Sequence, residues 1–144
     1  KGKCQLTVHP KSKAKMKAQL KELTSRSNGW GYAKRKQKLK EYIRGWVGYY
    51  HLANMKRLLQ ETDEWLRRRI RMCIWKSWKR IKTRIVNLVR CGMDKYRAYM
   101  WGNSRLGYWR VADSPILKMA ISNDSLRKTG YVTLMGSYLE WHPK

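Results

Sequence analysis

Apolar residues recur every three or four positions along most of the chain, which is the spacing of one buried face of an α-helix. A first helix is predicted from about Ser12 to Ser25, and a second from about Lys34 to Leu52. A third is predicted from about Thr62 to Ile81, and a further helix follows over Thr83–Arg90. The buried positions expected from this spacing are Met16, Leu20, Leu23, Leu39, Tyr42, Ile43, Trp46, Val47, Tyr50, Leu66, Ile70, Cys73, Ile74 and Ile81.

Shorter helices are predicted after Gly92, which ends the regular pattern. One covers about Asp94–Trp101. Ser114 and Pro115 are typical of the N-cap and first position of a helix, here over Ile116–Ile121. The last predicted helix opens at Asn123-Asp124 and is ended by Gly130. In the second long helix, Gly45 and Gly48 predict a point where another backbone packs closely, because glycine inside a helix is otherwise unfavourable.

The first residues have a different pattern. Cys4–Val8 alternates polar and apolar positions and predicts a short strand that ends at His9-Pro10. A lone strand is not stable by itself, so we expect its partners in a part of the protein that this chain lacks. The predicted fold class is therefore all-α: a basic three-helix bundle to about residue 88, a smaller irregular helical domain, and a short N-terminal strand remnant.

The net charge of the chain indicates which class of partner it binds. The 144 residues hold 34 Lys and Arg against 9 Asp and Glu, a net charge of +25. The excess is +12 over residues 1–52, +9 over residues 53–92 and +4 over residues 93–144. Self-repulsion of this size destabilises a folded chain that meets no counter-charge, which favours a polyanionic partner over a merely solvated basic surface. A hydrophobic fraction of 42% argues against disorder.

The cysteines, histidines and apolar runs argue against a disulfide-rich protein, a zinc protein and a membrane protein. The residues able to form disulfides or bind a transition metal are Cys4, Cys73, Cys91, His9, His51 and His142. Their spacing matches no zinc motif, and an odd number of cysteines fits no closed disulfide framework, so reduced thiols in a cytosolic protein are expected. The longest uncharged runs, Gly45–Met55 and Thr129–Leu139, are 11 residues each and too short for a membrane helix, which needs about 20.

The acidic residues predict no catalytic site. Asp63, Asp94 and Asp124 fall at predicted helix starts, where capping accounts for them. The remaining acids are Glu22, Glu41, Glu61, Glu64, Asp113 and Glu140. Their spacing suggests no two-metal cluster, and the chain has no phosphate-binding loop and no nucleophile motif. We therefore predict no catalytic or metal-binding residue and no cofactor in this chain, which is expected to bind rather than react.

Basic residues on helical faces are the feature of the sequence that predicts a binding surface. Lys13, Lys17 and Lys21 share one helical face and are spaced to follow a phosphate backbone. Arginines at 67, 68, 69 and 71 wrap most of a helical turn, and guanidinium groups suit phosphate oxygens. Trp75 and Trp78 are predicted to pack in the core rather than stack on bases. The basic residues around these tryptophans are Lys76, Lys79 and Arg80.

A second candidate contact lies in the C-terminal third. Tyr108, Trp109 and Arg110 follow Gly107 in a predicted loop, where an aromatic side chain beside a cation has less structural reason to occur. Bases or sugars of a nucleic acid are possible partners for such side chains. Core packing is the alternative, and the sequence leaves both open.

Several longer motifs resemble a known family. Those in the predicted long helices are Leu39–Trp46, Tyr49-Tyr50, Trp65–Arg71 and Ile74–Arg80. Those that follow are Gly107–Ala112, Ser114–Leu117, Ala120, Ser122-Asn123, Leu126 and Gly130. In this order they resemble the maturase-specific domain and C-terminal tail of group II intron reverse transcriptases. His9–Lys13 resembles the junction between the palm and the thumb of those proteins.

The resemblance implies three segments. Residues 1–9 would be a remnant of the palm, residues 10–88 the thumb or maturase domain (domain X), and residues 89–144 the D domain, which binds DNA. Family members hold their polymerase aspartates in a Tyr-x-Asp-Asp motif, which this chain lacks. The whole protein is thus expected to be an RNA-directed DNA polymerase that uses Mg²⁺, while this chain is not catalytic alone. The resemblance further implies a bacterial, cytoplasmic protein of the lineage without an HNH endonuclease.

The resemblance also implies partners. These are the group II intron RNA, the RNA–DNA template–primer duplex, target DNA, and the fingers and palm of the whole protein, with no membrane. The implied RNA- or DNA-binding residues are Lys13, Lys17, Lys21, Arg67, Arg68, Arg71, Lys76, Lys79, Arg80, Tyr108, Trp109 and Arg110. The alternatives are a stand-alone helical DNA-binding protein, for which the sequence shows no convincing helix-turn-helix, and a basic ribosomal-like RNA-binding protein.

Overall fold

The computed structural model describes residues 6–142, and all regular secondary structure in that range is helical. The helices are α1 (Pro10–Leu23), α2 (Tyr32–Tyr50), α3 (Lys56–Ser77), α4 (Ile81–Arg90), α5 (Lys95–Gly102), α6 (Tyr108–Ala112), α7 (Pro115–Ala120), α8 (Asn123–Lys128) and α9 (Leu134–Trp141). The prediction of an all-α fold is confirmed. Within the same range, no helix has an apolar stretch long enough to cross a bilayer.

The chain divides into two compact units. The first contains the described residues up to Leu66 and those from Gly130 onward, with α1, α2, the first half of α3 and α9. The second is Arg67–Thr129, with the rest of α3 and α4 to α8. The predicted domain boundary at residue 88 comes from the family resemblance, whereas the two units are defined by the packing of the chain. It stays a prediction.

Helix α1 begins where the sequence supplies both a cap and a proline. The His9 side chain accepts a hydrogen bond from the backbone N–H two residues on, and Pro10 occupies the first turn, where its missing N–H is not needed. At the other end, the Thr24 hydroxyl donates to the Leu20 carbonyl at 2.7 Å. The buried residues of the helix are Met16, Leu20 and Leu23, as predicted. The lysines therefore occupy its remaining, exposed surface.

The core of the first unit forms where α2 packs against α1 and α9. The fully buried side chains of α2 are Leu39, Ile43 and Val47. The start of α9 is held by Asp63 of α3, which is buried and accepts hydrogen bonds from the backbone N–H groups of Leu134 and Met135 at 2.8 and 2.9 Å. Two such bonds and the positive end of the α9 dipole compensate for the burial of a carboxylate.

In the second unit, side-chain caps begin three of the short helices. Asp94 accepts a hydrogen bond from a backbone N–H in the first turn of α5, as Ser114 does for α7 and Ser122 for α8. Gly92 ends the α4 region with a φ of 100°, which a residue with a Cβ rarely adopts. Helix α5 packs closely on α4: a Cβ at Gly102 would lie 2.6 Å from the Ile85 side chain.

Several predicted boundaries are wrong. Helix α3 begins six residues before Thr62, so Asp63 lies inside it and caps α9 instead of its own helix. The same helix ends at Ser77, and Ile81 begins α4 with 48% of its surface exposed instead of extending the buried stripe of α3. Asp94 and Asp124 do lie at helix starts, as predicted.

The predicted strand is not seen where the structure can test it. Positions 4 and 5 lie outside the described residues, and Leu6–Val8 form no strand. The Leu6 carbonyl accepts a hydrogen bond from the Asn54 N–H at 2.7 Å, but no neighbouring strand is present among residues 6–142. Without a partner strand, a single segment cannot build a ladder.

The prediction that another backbone packs closely at Gly45 and Gly48 of α2 is wrong. No described atom lies within 4 Å of a Cβ built at Gly45. At Gly48 the nearest atom is Cζ2 of the Trp141 side chain in α9, at 3.7 Å. A side chain, and not a second backbone, therefore packs on this helix at that point.

Candidate nucleic-acid interface

The lysine face of α1 is one of the exposed sets of predicted contacts. Lys13, Lys17 and Lys21 are all exposed, and their four-residue spacing places them in one row along the helix. The Nζ atom of Lys17 also lies 4.9 Å from the ring centroid of Trp65 in α3. The row places three exposed lysine residues over a stretch of about 12 Å, at 1.5 Å per residue.

A cavity of about 310 Å³ adjoins the first of these lysines. Lys13 lines it together with Lys56 and Arg57 of the first turn of α3, while Glu61 forms an exposed ion pair with Arg57 at 3.3 Å. Lys56 and Arg57 were not among the predicted contacts, because α3 was expected to begin at Thr62. The four residues before Thr62, Leu58–Glu61, contain the apolar pair that would have indicated the earlier start.

Arg71 does not lie where an RNA could reach it. Its side chain is buried, with Nε donating to the Ile121 carbonyl at 2.6 Å and a terminal nitrogen donating to Oδ1 of Asn123 at 2.7 Å. Burial and the nearby Arg67 lower the pKa of Arg71, and Asp113 opposes them. In this structure Arg71 holds α3 against the segment between α7 and α8. We therefore remove it from the candidate interface.

Arg68 is also engaged within the second unit. Two of its guanidinium nitrogens donate to the Trp109 carbonyl at 3.1 and 2.9 Å, and the guanidinium carbon lies 3.8 Å from the centroid of the Trp109 ring. A third nitrogen is 4.0 Å from a carboxylate oxygen of Asp113. Of the arginines in this run, Arg67 and Arg69 are half-buried as well. Arg68 therefore has a packing role within the second unit.

Asp113 links the arginine run to α7. Its carboxylate accepts a bond from Lys118 Nζ at 3.1 Å and faces Arg68. The hydrogen bond from Lys118, supported by the charges of Arg68, Lys118 and Arg71, holds the pKa of Asp113 below its usual value of 3.8, and partial desolvation opposes this shift. The acid is thus ionised near neutral pH and offsets part of the local positive charge.

The predicted loop at Tyr108–Arg110 is the helix α6. The Trp109 ring is covered by Arg68, and Arg84 lies 5.9 Å from the centroid of the Tyr108 ring. Both aromatic side chains are half-buried, whereas Arg110 is exposed. The rings thus have a structural explanation, which the sequence could not supply because Arg68 is 41 residues away from Trp109.

The basic residues at the junction of α3 and α4 remain accessible. Lys79 and Arg80 are exposed, and Lys76 is half-buried in the last turn of α3. Trp75 is fully buried, and the guanidinium carbon of Arg84 lies 4.6 Å from its ring centroid. The prediction that Trp75 packs in the core is confirmed, while the nucleic-acid contacts of Lys76, Lys79 and Arg80 stay predictions.

The described residues offer no acidic site for a metal ion. Over residues 6–142, no three His, Cys, Asp or Glu side chains come together in a group that could bind one. Two of the acids have structural roles: Asp63 caps α9, and Asp113 pairs with Lys118 and Arg68.

Sequence reasoning missed one exposed aromatic face. Tyr96, Tyr99 and Met100 of α5 are 73%, 62% and 55% exposed. The signal was available, because these residues follow one another at i, i+3 and i+4 and alternate with Lys95 and Arg97. The sequence does not show which face of so short a helix is buried, because α5 has only eight residues.

One of two comparisons with known proteins found a match. The sequence model of one protein family, the group II intron maturase-specific domain, matches residues 13–92. The match includes α2, α3 and α4 and most of α1, and therefore both the lysine face and the arginine run. No curated protein matches the chain.

Proposed function

The chain belongs to the group II intron maturase family, and we propose that it binds the folded RNA of its intron through exposed basic helices, with the lysine face of α1 as the principal contact. A maturase-specific domain gives the chain a role in group II intron RNA binding and splicing. The family match alone names no residue that makes the contact. The observation that carries the residue assignment is the exposure of Lys13, Lys17 and Lys21 in one row.

The chemistry of a lysine row suits a structured RNA. Double-helical RNA presents phosphates and 2′-hydroxyls on its outside, and its deep major groove hides the base edges. Hydrated ammonium groups can follow such a phosphate backbone without fixed geometry. The accessible Lys79 and Arg80, and the cations that line the cavity beside Lys13, extend this positive surface within their own units.

The finer assignments are part of the proposal. We assign residues 10–88 to the thumb of a bacterial reverse transcriptase without an HNH endonuclease, where the thumb also holds the template–primer duplex. Residues 89–144 would be the D domain that meets target DNA. The polymerase aspartates and their Mg²⁺ would lie in the fingers and palm, which would be this chain's protein partner in the bacterial cytoplasm. The support is the order of the sequence motifs and the basic surface.

The test is a competition titration with the 144-residue chain. Labelled group II intron RNA, folded in Mg²⁺, is displaced by an unrelated structured RNA of equal length or by duplex DNA, at 0.05 and 0.15 M salt. A preference for intron RNA of tenfold or more at the higher salt corresponds to about 1.4 kcal/mol that counterion release does not explain.

Equal competition by all three nucleic acids would contradict the proposal. If all binding also vanished at the higher salt, the chain would bind nucleic acids through charge alone, without specificity. A preference for the unrelated RNA would instead favour a ribosomal-like protein, and a preference for duplex DNA a helical DNA-binding protein. A matched check is incorporation of deoxynucleotides by the pure chain, which the proposal expects to be absent.

A further inference from the structure

Helix α5 of the second unit presents an aromatic face to solvent. Its inner side is formed by Ala98 and Gly102, which are buried, and Gly102 packs against Ile85 of α4. At 100° per residue, Tyr96, Tyr99 and Met100 fall within one arc on the opposite side. Each has more than half of its surface exposed. Two tyrosine side chains and a methionine therefore share one exposed face of the helix.

The helix that carries this face is firmly anchored. Its N-terminus is capped by Asp94, which accepts a hydrogen bond from the Arg97 N–H at 2.9 Å. Its C-terminal end lies so close to α4 that a methyl group at Gly102 would be 2.6 Å from a side-chain carbon of Ile85. A rigid support of this kind reduces the ordering entropy that binding would otherwise cost.

The surrounding charge specifies an anionic partner. Residues 79–110 hold nine Lys and Arg and one acid, Asp94. Lys95 and Arg97 flank the aromatic face and are exposed. Arg97 pairs with Asp94 at 3.8 Å, but an ion pair that is more than half exposed on both sides is weak and leaves Arg97 able to meet another anion. A neutral apolar partner would leave these cations without a counter-charge.

The exposed rings of α5 differ from the aromatic rings of α6. Trp109 is already covered by the Arg68 guanidinium, and Tyr108 lies beside Arg84. Tyr96 and Tyr99 are among the most exposed large side chains of the second unit. Nucleobases stack on open aromatic rings, and only an unpaired base offers its flat surface for this contact.

We propose that the outer face of α5 is a stacking platform for unpaired nucleotides of RNA. Tyr96 and Tyr99 each stack on one base, Met100 packs beside them, and Lys95 and Arg97 contact the adjoining phosphates. This inference rests on the proposed function, because it assigns the unpaired segment to the bound intron RNA. It gives the second unit a contact for single strands, whereas the lysine face of the first unit suits the outside of a double helix.

The test compares single-stranded and paired RNA with the 144-residue chain. The probes are a mixed-sequence RNA of 12 nucleotides, the same RNA in a duplex, and a DNA strand of that sequence, all at 0.15 M salt. The Tyr96→Ala/Tyr99→Ala variant is expected to bind the single-stranded RNA about tenfold or more weakly, since each base stacked on an aromatic ring contributes substantially. Duplex binding should change by less than about twofold, on the same principle that paired bases are not available for stacking.

Two controls isolate the stacking contact. Tyr96→Phe/Tyr99→Phe keeps both rings and should bind single-stranded RNA within about twofold of the unaltered chain, because stacking does not need the hydroxyl groups. Tyr49→Ala removes a tyrosine that is 82% exposed on α2 in the other unit, and it should leave single-strand binding unchanged. Circular dichroism of each variant shows whether the fold is retained.

Specific results would overturn the proposal. An equal loss for duplex and single-stranded RNA, or no loss for either, excludes a stacking platform. Tighter binding of the DNA strand that depends on both rings would replace RNA by DNA as the ligand. Unchanged RNA binding with a shift from dimer to monomer in sedimentation would assign the face to a second copy of the chain. Loss of intron preference with ring-dependent single-strand binding retained would contradict only the proposed function.

Discussion

The lysines of α1 and the arginines at positions 67, 68, 69 and 71 of α3 carry the same charge, but of these two groups only the lysines are exposed. Lys13, Lys17 and Lys21 are all exposed on the first unit. In the second unit, Arg68 and Arg71 each donate hydrogen bonds to backbone carbonyls that lie 41 and 50 positions further along the chain. A run of basic residues can therefore hold a fold together as well as attract a polyanion.

The chemistry of the two side chains explains this difference. A guanidinium group is planar, has five N–H donors and is weakly hydrated, so it can be buried if carbonyl oxygens accept its hydrogen bonds. An ammonium group is strongly hydrated and keeps its charge in water while its methylene chain lies along the surface. Arginines in a helix next to other helices are thus the ones to examine for structural roles before they are assigned to a ligand.

The largest expected effect is that of Arg71→Ala. The substitution leaves the Ile121 carbonyl and the Asn123 side chain without their donor and opens a gap in the second unit. Because hydrogen bonds from a charged group contribute about 1.5–3 kcal/mol each, we expect the free energy of unfolding to fall by about 3 kcal/mol. Urea denaturation of the whole chain, followed by fluorescence, measures this change. RNA affinity of the folded protein should stay within about twofold.

Arg110→Ala is the matched control for this prediction. Arg110 is an exposed arginine of the same unit, so its removal should change the free energy of unfolding by no more than about 0.5 kcal/mol. If Arg71→Ala keeps full stability but loses RNA affinity, the distinction between exposed lysines and structural arginines is wrong. Arg71 would then contact RNA and would not stabilise the fold.

The next largest effect is expected for the lysine face. Replacing Lys13, Lys17 and Lys21 together by alanine should leave the stability of the chain nearly unchanged. It should also lower the slope of log affinity against log salt for intron RNA by about three, because each phosphate contact contributes about one. Affinity at 0.15 M salt should fall by about tenfold or more, as counterion release is lost. Filter binding across a salt series measures both quantities.

The charge-conserving variant with arginine at the same three positions is the control. It keeps three cations on the exposed face and should retain the salt dependence. An alanine variant with an unchanged slope would show that the RNA is bound elsewhere. A large loss of stability in that variant would show that the lysines, like Arg71, support the fold.

The regular part of the fold could be predicted from sequence because it depends on near neighbours. Met16, Leu20 and Leu23 are buried as their spacing predicts, and so are Leu39 and Ile43. Helices of 14 to 22 residues show several repeats of this spacing, which makes them recognisable. The caps of the shorter helices that begin after Asp94 and Ser114 were predictable for the same reason, since a cap acts within one turn.

The parts that could not be predicted depend on distant residues. Asp63 caps α9 through Leu134, which is 71 positions later. Helix α6 has five residues, too few to show a helical period. The roles of Arg68 and Arg71 follow from carbonyl groups, which every residue has and which carry no sequence signal. The packing partners of Arg68, Arg71 and Trp109 therefore become visible only in the tertiary structure.

The smallest effect expected here concerns Asp113, the acid between Arg68 and Lys118. Its pKa is lowered in the folded chain, chiefly by the hydrogen bond from Lys118, so its stabilising contribution is complete above the unfolded value near 4 and is lost as the pH falls through the folded value. Since the pair is half exposed, Asp113→Asn should cost only about 0.5 kcal/mol at pH 7. Thermal unfolding of both proteins from pH 7 to pH 2 should show this difference shrinking as the acid is protonated. A difference that stays constant over that range would mean that it does not come from the ionised carboxylate, and that charge neutralisation does not contribute to holding the arginines of the second unit in place.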